Sequence, residues 1–328
     1  MKPKSRKILS NLIWIAVIIV GGLVTYFNRI TITDTIMAIG YEPSTEIQSI
    51  MTDIKLTDTG TRILRASRPE IQNADNFNQN CPTDTDAATL GCYYKQHIYV
   101  YDVTNTELSG IKQAVMAHEL LHAAWSRLTS FERNQIAPYL REVYEENKDA
   151  LAKHMAIYTE DSQLDELHSV IGTEINPVKY PIALRTHYAK YFSNHTAIYS
   201  FYSKYHDKFV AIEKRTEELE EQIDAKQKQL DADTASYNQA YDKLNKDIEA
   251  FNERANTEGG FASQYEFDTE RKKLLLRQDE LSVSYRNLVG LTNEINELIN
   301  EYNQNIVRST RLYDSIDSRA KKPAIIFN

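Results

Sequence analysis

"QAVMAHELLHAAWSRL", residues 113–128, sets two histidines four apart with a glutamate directly after the first. Residues i and i+4 share one face of an α-helix, so His118 and His122 can aim imidazole nitrogens at one point. Glu119 stands beside that face, within reach of a water held there. Ile111, Val115, Leu120, Leu121 and Ala124 recur at helical spacing and form an apolar stripe. The stretch therefore predicts an amphipathic helix with a buried side and a polar side suited to a metal ion. Ala117, Ala123 and Ala124 leave room for another helix to pack closely.

The surrounding text predicts an α+β, mostly α fold. "CYYKQHIYVYDV", residues 92–103, alternates and is rich in Tyr, Ile and Val, which reads as one β-strand. Short helices are expected at "STEIQSIMTDI" and "TGTRILRAS", the second stopped by Pro69. A further helix follows "TSFERNQIAPYLREVYEENK", with Ser130 able to cap it. In "DSQLDELHSVIGTEI", Ser162 and Asp165 stand three apart like a capping box, and Gly172 sits where a helix would stop.

The pattern changes near residue 205. Ile223, Leu230, Tyr237, Leu244 and Phe251 recur every seven residues, as do Phe267, Leu274, Leu281, Leu288, Ile295 and Tyr302. Between them "NTEGGFASQYE" offers Gly259 and Gly260 for a turn, so residues 205–312 are expected to form a long antiparallel coiled-coil hairpin. Its companion seam is irregular, with Leu219, Tyr241 and Ile248 but also Lys226 and Asp233, which leaves room for a coiled-coil partner or self-association. Residues 313–328 read as a C-terminal tail.

At the other end, the basic tail "MKPKSRK", residues 1–7, precedes "ILSNLIWIAVIIVGGLVTYFN", residues 8–28, which carries no charge. Roughly 20 apolar residues suffice to cross a bilayer as a helix. Tyr26, Phe27 and Asn28 stand where a cleavable leader would need small residues, so a retained transmembrane signal anchor is expected. Trp14 and Tyr26 suit the interfaces, and the basic tail would stay in the cytoplasm, with the bulk of the chain outside the cell membrane. Cys81 and Cys92 are the only cysteines, and in an oxidising compartment such a pair most simply forms a disulfide. The formal net charge of -8, spread in mixed sign along the chain, gives no footprint for nucleic acid.

"AHELLHAAW" resembles the active-site helix of the zincin metallopeptidases. The resemblance covers about ten residues and implies one Zn2+ held by His118 and His122, with Glu119 as catalytic base. It also implies a zincin-like catalytic domain, here residues 40–204, whose small sheet offers an edge strand to a peptide or protein substrate; "KQHIYVYDV" stands where that strand belongs. A catalytic zinc needs a third protein ligand and an open position. The third histidine and preceding glycine of metzincins are absent after the motif. A gluzincin takes a glutamate from a later helix, and Glu166 in "LDELHSVIG" fits that place. Glu174 is the alternative ligand or a supporting carboxylate, because Val170 stands where gluzincins often carry an acid; His168 and His154 are weaker options. For a transition-state donor, "ALRTHYAKYF" offers His187, Tyr188 and Tyr191. The function expected is that of a membrane-anchored zinc endopeptidase. The alternatives are a non-catalytic envelope scaffold built on the coiled coil, or a zinc hydrolase of a non-peptide substrate.

Overall fold

The computed structural model describes residues 17–23, 25–26, 28–82 and 89–320. It is mostly helical with one small sheet, and it divides into two compact units, residues 1–208 with 312–328, and Phe209–Arg311. Most of the expected membrane segment lies outside the described residues. Among those described, no helix is long and apolar enough to cross a membrane.

The first unit begins with helices α1 (Arg29–Ile39), α2 (Thr45–Asp53) and α3 (Asp58–Ala66). Ser44 and Thr57 cap the last two, each side chain accepting a backbone N–H of the first turn. Strand β1 (Glu70–Gln72) and helix α4 (Ala74–Asn80) lead to strands β2 (Gly91–Tyr94) and β3 (His97–Tyr101). The single strand expected over 92–103 is thus a hairpin. Lys95 and Gln96 both take positive φ, 49° and 66°, in a two-residue turn of the kind usually supplied by Asn-Gly. The sheet order is β1-β3-β2, with β3 parallel to β1 and antiparallel to β2. So "HIYVY" is the central strand, with Ile98 and Val100 fully buried, and of the two edge strands, β1 and β2, it is β2 that lies against Glu119.

Helix α5 (Ile111–Arg127) carries the opening motif and packs on both β2 and β3. Its expected apolar stripe is buried throughout. Helix α6 (Ser130–Glu146) is capped by Thr129 rather than Ser130, in a reciprocal box with Glu132. Helices α7 (Lys148–Met155), α8 (Glu160–Glu174) and α9 (Ile182–Tyr188) follow. Helix α8 starts before the expected Ser162 cap and continues through Gly172, so neither punctuation residue bounds it.

Helices α10 (His195–Ala255) and α11 (Gln264–Ile316) form the two long arms. Within the second unit Arg215 pairs with Glu301, Lys226 with Glu294 and Asp247 with Arg277, so residue numbers rise along one arm as they fall along the other. The arms are antiparallel. Every residue of the two expected heptad seams is buried or half-buried, as are Leu219 and Ile248, whereas Tyr241 lies exposed. Lys226 lays its stem on the seam and its ammonium on Glu294. At the tip Gly259 takes φ +72°, and Phe251, Phe261 and Phe267 cluster with ring centroids 5.1–5.2 Å apart. Exposed ion pairs contribute about 0–1 kcal/mol each, so the seams carry the stability.

The last residues of α11 return to the first unit. Leu312 is fully buried there, and Ser318 donates to Asn78 Oδ1 while its carbonyl accepts from Asn78 Nδ2. The described part of the stretch read as a tail is thus packed.

Cys81 and Cys92 are bonded, with Cα atoms 5.9 Å apart, and so tie the edge strand to the end of α4. Closing a short loop removes unfolded-state entropy worth about 2–3 kcal/mol. Replacing both cysteines by alanine is expected to lower the unfolding free energy of the first unit by that amount in urea titrations; an unchanged midpoint would reject the tether.

Candidate metal centre

Gly110 opens α5 in the left-handed region, φ +103°, where a Cβ would come 3.1 Å from the Phe201 carbonyl oxygen. From there Ala117, Leu121 and Ala124 turn inward, while Ala114, His118 and His122 lie on the cavity side, both histidines half-buried. Their Nε2 atoms stand 3.2 Å apart.

Helix α8 comes close enough to add a carboxylate because Gly172 has no side chain. A Cβ there would lie 2.3 Å from Leu121 Cδ1 and 2.8 Å from Tyr188 Cε1. The result places Glu166 Oε2 3.4 Å from His122 Nε2 and Glu166 Oε1 3.7 Å from His118 Nε2. Ligand atoms about 2.0–2.1 Å from a tetrahedral ion stand about 3.3 Å from one another. The three side chains, all within 4.8 Å of one another at their donor atoms, could therefore hold a metal ion with little movement.

The outer nitrogens of both rings are also occupied. Asp165 Oδ1 lies 2.8 Å from His122 Nδ1, and Thr173 Oγ1 lies 3.5 Å from His118 Nδ1. The Thr173 hydroxyl donates to the Ser169 carbonyl, so it faces His118 as an acceptor. Both imidazoles are thereby held with Nε2 toward Glu166, the orientation that a metal-binding histidine takes from its outer partner.

Charge in the centre is unbalanced. Burial pushes His118 down to about 4, with Glu166 opposing and His122 and His154 reinforcing. Burial also works against a charged His122, but hydrogen bonds to Asp165 and Glu166 overcome it and hold the ring protonated well above its usual range. Glu166 is likewise raised by burial, yet His122 and His154 bring it well below the usual carboxylate value.

Glu119 is 5% exposed and does not join the ligand group. Burial raises its carboxyl to about 7, against the pull of His122 and a hydrogen bond from the Tyr93 backbone N–H. That bond links the carboxyl to the edge strand. A Cβ on Gly91 would fall 2.5 Å from Val115 Cγ1 and 2.8 Å from Glu119 Oε1, so glycine is what allows β2 to lie so near. Residues 89–93, His118, Glu119, His122 and Glu166 share a cavity of about 450 Å³.

The other expected site residues divide between the cavity and the core. Glu174 lines the cavity but stands outside the ligand group, accepting a hydrogen bond from Tyr202. His154 also lines it, with Nε2 2.7 Å from Glu166 Oε1, as a partner of the ligand. His168, His187, Tyr188 and Tyr191 are buried and line none of it. His168 Nε2 instead meets His187 Nε2 at 2.8 Å, and Tyr188 donates to the His168 carbonyl. Among the donors that do face the cavity, His154 and Tyr158 stand at Glu166, the latter bonded to it. Tyr158 escaped the sequence reading because nothing local marks it. Asp165 was noticed there only as a capping carboxylate, and its adjacency to Glu166 was the available signal.

Asp165→Asn is expected to weaken metal binding about 10–100-fold, read by competition with a chromophoric chelator, because an outer partner of a ligand histidine typically contributes that much. The buried His168 and His187 pair predicts an acid sensitivity. Burial, with Lys190 nearby, lowers His187 to about 4, against about 6.5 in an unfolded chain. Below about pH 6.5 the unfolded state takes up protons first, so the stabilisation present above that value is lost as pH falls toward 4. Between those limits the slope of unfolding free energy against pH should be lower for His187→Gln, by up to about 1.4 kcal/mol per pH unit. Equal slopes would reject the assignment. The chain matches no protein-family model, no curated protein and no solved structure.

Proposed function

We propose that the chain is a zinc-dependent endopeptidase of gluzincin type, with His118, His122 and Glu166 as ligands and Glu119 as general base. One observation carries the reading. Three convergent donor atoms and a buried, non-ligating carboxyl share a cavity with the free edge of a β-strand. Burial of Glu119 costs stability even with His122 nearby, which favours a functional carboxyl over a purely structural one.

A zinc ion bound there would polarise the scissile carbonyl and lower the pKa of a bound water toward ~7. The protein supplies the remaining parts. Glu119, fixed by the Tyr93 N–H, takes the proton from the attacking water and returns it to the leaving amine. His154 and Tyr158, which bond Glu166 in the resting site, line the same cavity and are the donors that would turn to the negative charge developing on the carbonyl oxygen. The outer edge of β2 pairs with the extended substrate, which explains why the strand is tethered by the disulfide and why Gly91 must be small.

The same reading places the site outside the cell, anchored by residues 8–28. Its supports are the uncharged run, the disulfide, and the outward apolar side chains of Val17, Ile18, Ile19, Val20 and Leu23 in the described part of that segment.

Glu119→Gln should retain fold and bound zinc while lowering hydrolysis of a quenched fluorescent casein at least about 100-fold. A chelator should abolish wild-type hydrolysis and added zinc restore it. A purified chain that contains no metal by elemental analysis, and takes none up, would reject the proposal.

A further inference from the structure

The cavity has a second carboxylate that the chemistry above does not use. Glu174 lies at the C-terminal end of α8, beyond Thr173, and lines the cavity together with Tyr202 and Tyr205 of α10. Tyr202 gives it one hydrogen bond, and no lysine or arginine pairs with it among the described residues. Among the described residues no lysine or arginine lines the cavity, although Glu119, Asp165, Glu166 and Glu174 all do. Burial raises Glu174 to about 7 against the pull of His154 and Tyr202, so a cation brought beside it would stabilise its charged form. An anionic ligand group, such as a free peptide carboxyl terminus, would find no cation to receive it.

We propose that Glu174, flanked by Tyr202 and Tyr205, forms a subsite for a cationic group of the substrate close to the scissile bond. An ammonium or guanidinium there would pair with the carboxylate while the two phenol rings cover its aliphatic stem. A lysine or arginine side chain and a free N-terminal amine share this chemistry. The inference rests on the peptidase reading for its substrate class, but its test does not need turnover.

The test uses the full-length Glu119→Gln variant loaded with zinc. Fluorescein-labelled peptides, amidated at the C-terminus and carrying lysine, arginine or norleucine at each position in turn, are titrated by fluorescence anisotropy. Each is made with an acetylated and with a free N-terminus. At one position the basic peptides should bind at least about tenfold more tightly than norleucine, as a charge-assisted bond in a partly desolvated site implies. If the free-amine peptides bind more tightly than their acetylated counterparts whatever the side chain, the cation is the chain terminus; if the preference for lysine or arginine over norleucine survives acetylation, it is the side chain. Adding Glu174→Gln should bring the ratio to near one, and Glu174→Asp should keep part of it. Affinities that change neither with a basic side chain nor with acetylation of the N-terminus, or no measurable binding of any peptide, would overturn the subsite. A cation preference without wild-type hydrolysis would keep the subsite and remove the peptidase reading. A collapsed Glu174 variant leaves the comparison within the Glu119→Gln protein to decide.

Discussion

The approach of α8 to α5 is the constraint on which the metal centre depends. Gly172 permits it, since any side chain there would meet Leu121 and the ring of Tyr188. With the helices that close, one face of α8 supplies Asp165, Glu166 and Thr173 to the two histidines of α5. The opposite consequence is a buried polar layer behind them. His168 is carried into the core on the same helix, where it must find a partner, and His187 meets it from α9. A buried ring nitrogen left unbonded costs about 1–3 kcal/mol. The histidine pair is therefore a consequence of bringing Glu166 into place.

Much of this was legible where the signal is local. The i, i+4 spacing of His118 and His122 fixes a shared face whatever the fold, and heptads mark long arms because the seam repeats within each arm. Glu166 was legible as the right residue type on a helix at a workable distance along the chain. Gly172 was misread because a glycine near the end of a helical pattern looks the same whether it stops the helix or lets another helix approach. Only Leu121 and Tyr188, which are distant in sequence, distinguish the two. The hairpin at Lys95 and Gln96 was missed for a related reason: neither residue favours the left-handed conformation, and the pairing of Tyr94 with His97 imposes it.

The alternation in residues 92–103 was real, but alternation cannot tell one strand from two strands joined by a short turn. The error mattered for the site. A single strand would have made "HIYVYDV" the edge beside the active helix, whereas the hairpin gives that place to "GCYY" and buries "HIYVY" between two neighbours. It also gives a reason for the sequence order. Cys92 sits next to Gly91, so the disulfide fixes the strand one residue from the point where it touches Glu119.

The edge strand is thus held from three sides by unrelated forces. The disulfide ties it to α4, the ladder ties it to β3, and the Tyr93 N–H ties it to Glu119. The last of these satisfies an edge-strand donor and a buried carboxyl together. A strand that must present an extended peptide to that carboxyl needs its position set to a fraction of an ångström, since a misplacement of about 1 Å can cost a hundredfold in rate. Under the proposed peptidase reading, the Tyr93 N–H beside Glu119 would join substrate placement to proton transfer in one short stretch of chain.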